Sequence, residues 1–164
     1  MALRRTCLKV TVLIEDTYGK PFLDSLLKYL KAKELVDHSW AFDVNQYNVY
    51  KLGNMLRAAN ESNKIIVLVD CDGDCNKNNA RIIHDICEKQ SNERIGMVYL
   101  RYEIEDWICV SEGMKLDKQK SSTVMMAKRG YKKFRLPEYA DKLNVELLMN
   151  NCKSFKDFMT LLKK

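Results

Sequence analysis

Glycine and proline are scarce in this chain. Its 164 residues include six glycines and two prolines, which excludes a collagen-like or low-complexity polymer. No apolar run approaches the ~18–20 residues needed to cross a bilayer. Nor is Met1–Arg5 followed by an apolar stretch that ends in a small-residue cleavage site. The expectation is a soluble, cytoplasmic protein with no membrane partner. Cysteine pairs at C-x-x-C spacing are missing too. Cys7, Cys71, Cys75, Cys87, Cys109 and Cys152 are present, four of them in or beside apolar runs where a reduced thiol behaves as a small hydrophobe. An even count suits a disulfide framework in a short secreted chain, but no secretory signal accompanies it. Cys71, Cys75 and His84 lack the second ligand pair of a structural zinc site.

What remains is an ordinary globular composition, 46% apolar and 30% charged, of a length that fits one domain. The net charge of +6 is unevenly spread. Residues 1–100 hold 14 basic and 13 acidic side chains, whereas residues 101–164 hold 14 and 9. The segment Lys115–Arg135 alone carries eight basic residues against Asp117. Such a run is either a solvated surface or a patch that binds a polyanion.

Hydrophobic periodicity divides the chain into alternating elements. Cys7–Ile14 is β-branched and reads as a strand, and Gly19-Lys20-Pro21 opens a helix with Leu23, Leu26, Leu27 and Leu30 on one face. Trp40, Phe42 and Val44 alternate as a second strand. Leu52, Met55, Leu56 and Ala59 mark a second helix. Ile65–Val69 is a continuous apolar run of strand length, as in a strand covered on both faces. A helix with Ile82, Ile83, Ile86 and Cys87 on one side precedes a fourth strand, Ile95–Leu100. The order β-α-β-α-β-α-β predicts an α/β fold with a four-stranded parallel sheet flanked by helices. The core spans about residues 7–110. A basic helical extension follows over about 111–164, with Pro137 in the first turn of one helix and Ser154-x-x-Asp157 as a capping box before another.

The chemistry-bearing residues collect at the strand ends. Glu15 and Asp16 follow the first strand, and Asp70-Cys71-Asp72-Gly73-Asp74 follows the third. In a parallel sheet both positions fall on the carboxyl edge, where open α/β sheets bind ligands. Alternation along an extended segment also aims Asp70 and Asp72 to the same side. Three carboxylates at ~4 Å repel by about 4 kcal/mol per pair at an effective dielectric of ~20. Such a group needs a cation or raised pKa values, and all-oxygen donors point to Mg²⁺ or Mn²⁺. The competing reading is a polar loop that caps the next helix. An EF-hand is excluded, because Gly73 falls at loop position 4, Cys75 at 6 and Arg81 at 12. A haloacid-dehalogenase arrangement fits poorly, since the first strand ends in Glu, and no Walker loop occurs. A second acidic group, Glu103, Glu105 and Asp106, directly follows the fourth strand. Glu105 would complete or orient the metal site, or these acids would only favour a helix N-terminus.

Together these residues resemble the Toprim fold, the catalytic domain of topoisomerases, bacterial primases, ribosomal RNA maturases and the overcoming-lysogenisation-defect nucleases. That family carries a Glu after its first strand and a D-x-D after its third, here Glu15 in L-I-E-D-T-Y-G-K and Asp70/Asp72 in V-D-C-D-G-D. Small stand-alone relatives of those nucleases add an E-x-W segment, similar to Glu105-Asp106-Trp107, and a late S-F motif, similar to Ser154-Phe155-Lys156. The likeness spans roughly residues 7–110. The family's glycine directly after the Glu is here Asp16, and the nearest glycine is Gly19.

The resemblance implies a Mg²⁺- or Mn²⁺-dependent nuclease or nicking activity on DNA or RNA. Asp70 and Asp72 would hold metal, with Asp74 and Glu105 as further ligands, and Glu15 would act as ligand or proton-transfer group. Nucleic acid would be bound by Lys20, Lys128, Arg129, Lys132, Lys133 and Arg135, with Tyr131 and Phe134 as stacking surfaces. A non-catalytic nucleic-acid-binding or partner-recognition module that keeps the acidic site is the alternative. A phosphatase for small substrates is a third reading. A protein partner or a second copy of the chain remains open.

Overall fold

The computed structural model describes residues 7–116 and 118–163, so the reading of Met1–Arg5 and the contribution of Asp117 lie outside the described residues. The strands are β1 (Lys9–Ile14), β2 (Ala41–Gln46), β3 (Lys64–Asp70) and β4 (Ile95–Leu100). They form one sheet in the order β2-β1-β3-β4, and every neighbouring pair is parallel. Helices α1 (Gly19–Ala32), α2 (Leu52–Ala58) and α3 (Asn78–Lys89) connect them in turn. The predicted α/β fold is the observed one.

The two faces of the sheet bury different amounts of chain. On β3, Ile66 and Leu68 point to the larger cluster, while Ile65, Val67 and Val69 point to the smaller. This period-two division is why the run reads as uninterrupted apolar sequence. The smaller cluster is closed by Leu52 and Leu56 of α2 and by Ala80, Ile83 and Cys87 of α3. Ile82, expected on the inner face of α3, is instead exposed. The helix start at Asn78 directs Ala80, Ile83 and Cys87 inward at i, i+3, i+7.

The larger face is covered by α1 and by the chain beyond β4: α4 (Glu105–Ser111), α5 (Ser121–Arg129), a 3-10 stretch (Lys133–Lys142), α6 (Val145–Asn151) and α7 (Lys153–Lys163). Met125, Leu136, Leu148, Phe155 and Phe158 all enter that core. The C-terminal extension is therefore part of the main hydrophobic layer. Pro137 lies within the 3-10 stretch, not in the first turn of an α-helix. Ser154 does not cap a helix. It lies inside α7, and its hydroxyl accepts a hydrogen bond from the Trp107 indole at 2.9 Å. Trp107 is fully buried, with Phe155 edge-on at 5.1 Å between ring centroids. The E-x-W and S-F segments thus meet as one joint between α4 and α7. Among the described residues, no helix is long and apolar enough to cross a membrane.

Candidate active site

The chain reverses direction across the sheet between β1 and β3. From β1 it crosses to β2 on one side, and from β3 to β4 on the other. In open α/β sheets a crevice forms at such a switch point, outside the carboxyl ends of the strands. Glu15 leaves β1 there and Asp70 ends β3. Gly19 lets α1 start hard against β1, because a Cβ at that position would lie 2.5 Å from Ile14 Cδ1. The loop between them is held by Asp16, whose carboxylate accepts the Tyr18 N–H.

Electrostatics record how close the acids are. Burial, with Glu15, Asp16 and Asp72 nearby, pushes the Asp70 carboxyl up to about 8, against a partial lowering by Lys133. Glu15 is raised by burial and by Asp72, with a lowering from the Tyr47 hydroxyl. Tyr47 is buried at the end of β2, donates to the Leu68 carbonyl at 2.7 Å, and is itself raised by burial and by Glu15. Sequence reading missed Tyr47; its place one residue past β2, on the same sheet edge, was the available signal.

Asp72 reaches this group differently from the expectation. Strand geometry ends at Asp70, and Asp72 has left-handed backbone (φ 49°), followed by Gly73 at φ 95°. Alternation therefore does not aim Asp72. The turn is closed by a Cys71–Cys75 disulfide with Cα atoms 4.4 Å apart, which corrects the expectation of reduced thiols. Neither sulfur is free for zinc, and His84 Nδ1 hydrogen-bonds the Tyr99 hydroxyl. The Lys120 ammonium lies 2.8 Å from Asp72 Oδ1. Asp74 turns away from the crevice: it accepts the Asn76 N–H and lies 3.7 Å from Lys77, ahead of α3.

The second acidic group lies next to the first but is built otherwise. Glu103, Glu105 and Asp106 are all buried. Asp106 accepts the Tyr102 N–H and the Ser121 hydroxyl, and burial pushes it up to about 6. Glu103 accepts the N–H of Ser122. Glu105 accepts the Tyr131 hydroxyl at 2.9 Å, while its Oε2 is buried without a hydrogen-bond partner. The Lys133 ammonium sits among the acids, 2.7 Å from Asp16, 3.3 Å from Glu103 and 3.0 Å from Glu105. Those carboxylates hold it protonated, raising its pKa against the effect of burial.

The basic residues are accordingly not one open patch. Lys133 is a partly exposed counter-ion to the acids, and Tyr131 is buried. Arg129 pairs with Glu112, Arg135 with Glu138 and Lys20 with Asp24, all with exposed partners. Lys128 contacts Met114 sulfur, and Lys132 is exposed. Phe134 remains exposed. Among the described residues, no group of three or more His, Cys, Asp or Glu side chains is preassembled to hold a metal ion. No protein-family model matches the chain, and neither the curated proteins nor the solved structures contain a significant match to it.

Proposed function

We propose that this chain performs metal-dependent phosphodiester cleavage on nucleic acid, as a nuclease or nicking enzyme, through Glu15, Asp70 and Asp72. The observation that carries the reading is the meeting of Glu15 and Asp70 at the switch point, where Asp70 is pushed up to about 8. A carboxyl so buried, with like charges beside it, is neutral for part of the time at neutral pH, unless a cation joins it. The donor set is all oxygen, which fits Mg²⁺ or Mn²⁺. Asp70 and Asp72 would hold the ion with Glu15, and Asp72 would exchange its Lys120 contact for it. When bound, such an ion polarises a phosphoryl oxygen and lowers the pKa of water. Glu15, flanked by the Tyr47 hydroxyl, is the group able to take a proton from an attacking water. Lys128 and Lys132 are available to phosphates. Lys20, Arg129 and Arg135 hold exposed ion pairs worth only about 0–1 kcal/mol, which a phosphate displaces readily. The Toprim resemblance of the motifs leads to the same chemistry.

The non-catalytic reading is favoured by one observation, the Lys120–Asp72 contact, which sets a cation against a metal-ligand position. A single assay separates the two. Labelled single- and double-stranded DNA and RNA are incubated with Mg²⁺ or Mn²⁺, alongside Asp70→Asn and Glu15→Gln. Cleavage by the wild type that falls about 10²-fold or more in each variant supports the nuclease. Binding without cleavage selects the alternative, and cleavage undiminished in both variants refutes the assigned site.

A further inference from the structure

A groove of about 880 Å³ lies behind the Asp72 turn, on the β4 side of the carboxylate site. It is continuous with that turn. Gly73 and Cys75 line it, and the Gly73 N–H donates to the Arg101 carbonyl at 2.8 Å. One wall is apolar, built from Val110, Met114, Leu116 and Leu147, of which only Val110 is fully buried. Its volume lies within the ~300–1,000 Å³ range of small-molecule sites.

Three cations line this groove, and one of them, Lys153, is paired there with Asp157. Arg101 and Lys115 are exposed, and neither has an acidic partner among the described residues. Arg101 is held in place without neutralisation, donating one N–H to the Leu116 carbonyl and lying 5.4 Å above the Tyr102 ring. Most basic residues near the carboxylates are paired, so two cations without an acidic partner among the described residues single out this groove as a place for an anion. The Ser154 hydroxyl on the lining is engaged by Trp107 and Cys152, while the Asn151 amide oxygen is uncommitted and suits the N–H edge of a heteroaromatic ring. An alkyl chain would leave that amide unmatched.

We propose that the groove receives one unstacked nucleotide of a single strand, its base against Met114 and Leu116 and its phosphate at Arg101 and Lys115. The strand then continues past Gly73 towards Asp70. The inference rests on the nuclease reading and names its substrate class. In a duplex each base is paired and stacked, so only a single-stranded or splayed segment delivers a base into such a groove.

The test is fluorescence anisotropy in EDTA, with a short fluorescein-labelled single strand, of DNA in one arm and RNA in the other, and the same strand annealed to its complement. Wild type is compared with Leu116→Glu, Arg101→Gln and Asp70→Asn. The expected result is tighter binding of at least one single strand than of the duplex. Loss should be about tenfold in Leu116→Glu, the scale of one stacked base, and smaller in Arg101→Gln, with duplex affinity unchanged. Arg101 is exposed and Leu116 lies on a loop, and matching far-UV circular dichroism and melting curves confirm that both variants fold. Single-strand affinity unchanged in both groove variants overturns the proposal, as does equal or tighter duplex binding in every arm. Binding in EDTA does not depend on catalysis. Groove-dependent binding with no cleavage under Mg²⁺ or Mn²⁺ therefore leaves the groove standing and removes the nuclease reading. Cleavage lost in Asp70→Asn with groove variants unaffected does the reverse.

Discussion

Two groups of carboxylates sit side by side at the carboxyl edge of this sheet, and they are compensated in opposite ways. Glu103, Glu105 and Asp106 are buried more deeply, yet backbone N–H groups, the hydroxyls of Ser121 and Tyr131, and the Lys133 ammonium meet them. Glu15 and Asp70 are less buried but have fewer partners; Asp16 and Asp72 add to their mutual repulsion, and Lys133 offsets it only in part at Asp70. Burial of charge is tolerated where hydrogen bonds and an opposite charge accompany it. Like charges left facing each other store unfavourable energy that a cation relieves. The deeper group is a framework that ties β4, α5 and the 3-10 stretch together. In the proposed function, the shallower group is the one that takes the ligand.

The largest expected effect that separates the groups is on stability against pH. A carboxyl raised above its unfolded value binds protons more tightly when folded, so its contribution to stability falls as pH climbs from the unfolded pKa to the folded one. For Asp106 that window runs from 3.8 to about 6, and for Asp70 from 3.8 to about 8. The slope is at most about 1.4 kcal/mol per pH unit for one proton. Asp70→Asn should flatten the decline measured by denaturant unfolding between pH 6 and 8, while Asp106→Asn should alter only the region below 6. Identical profiles would erase the distinction.

Next in size is Asp106→Ala, which leaves the Tyr102 N–H and the Ser121 hydroxyl without their acceptor. A loss of about 3 kcal/mol is expected in urea unfolding, whereas Asp70→Asn at pH 8 should be neutral or stabilising. Lys133→Met should cost about 2 kcal/mol. That is below the ~3–5 kcal/mol for breaking a fully buried pair, because the lysine side chain is 43% exposed and solvent screens part of the charge. Smallest is the response to metal. Mg²⁺ at ten times its Kd should stabilise the wild type by about 1.4 kcal/mol, seen as a higher Tm at pH 8, and should leave Asp70→Asn unmoved. An equal rise in both would place the ion elsewhere.

Much of the architecture was legible because strand and helix periods differ. The uninterrupted run Ile65–Val69 announced a strand covered on both faces, and the leucines of α1 announced a helix lying on it. The placement of Glu15 and Asp70 together was legible because parallel strands bring all their carboxyl ends to one edge. The placement of Asp72 was not. Two-residue alternation ends with the strand, and the Cys71–Cys75 bridge with a left-handed Asp72 redirects the turn. Lys133 was read as part of a surface run. Its position 117 residues from Asp16 shows why: only folding brings the two together.

The sequence by itself determined the layered α/β fold, the strand ends and the presence of acids on one edge. These follow from local periodicity and from the polarity of parallel strands, which neighbouring residues encode. Tertiary structure alone decided which charges meet. It buried Glu105 beside Tyr131 and Lys133, set Lys120 on Asp72, and left Glu15 facing Asp70. Coulomb interaction and desolvation depend on distance and depth, and neither is a property of position along the chain.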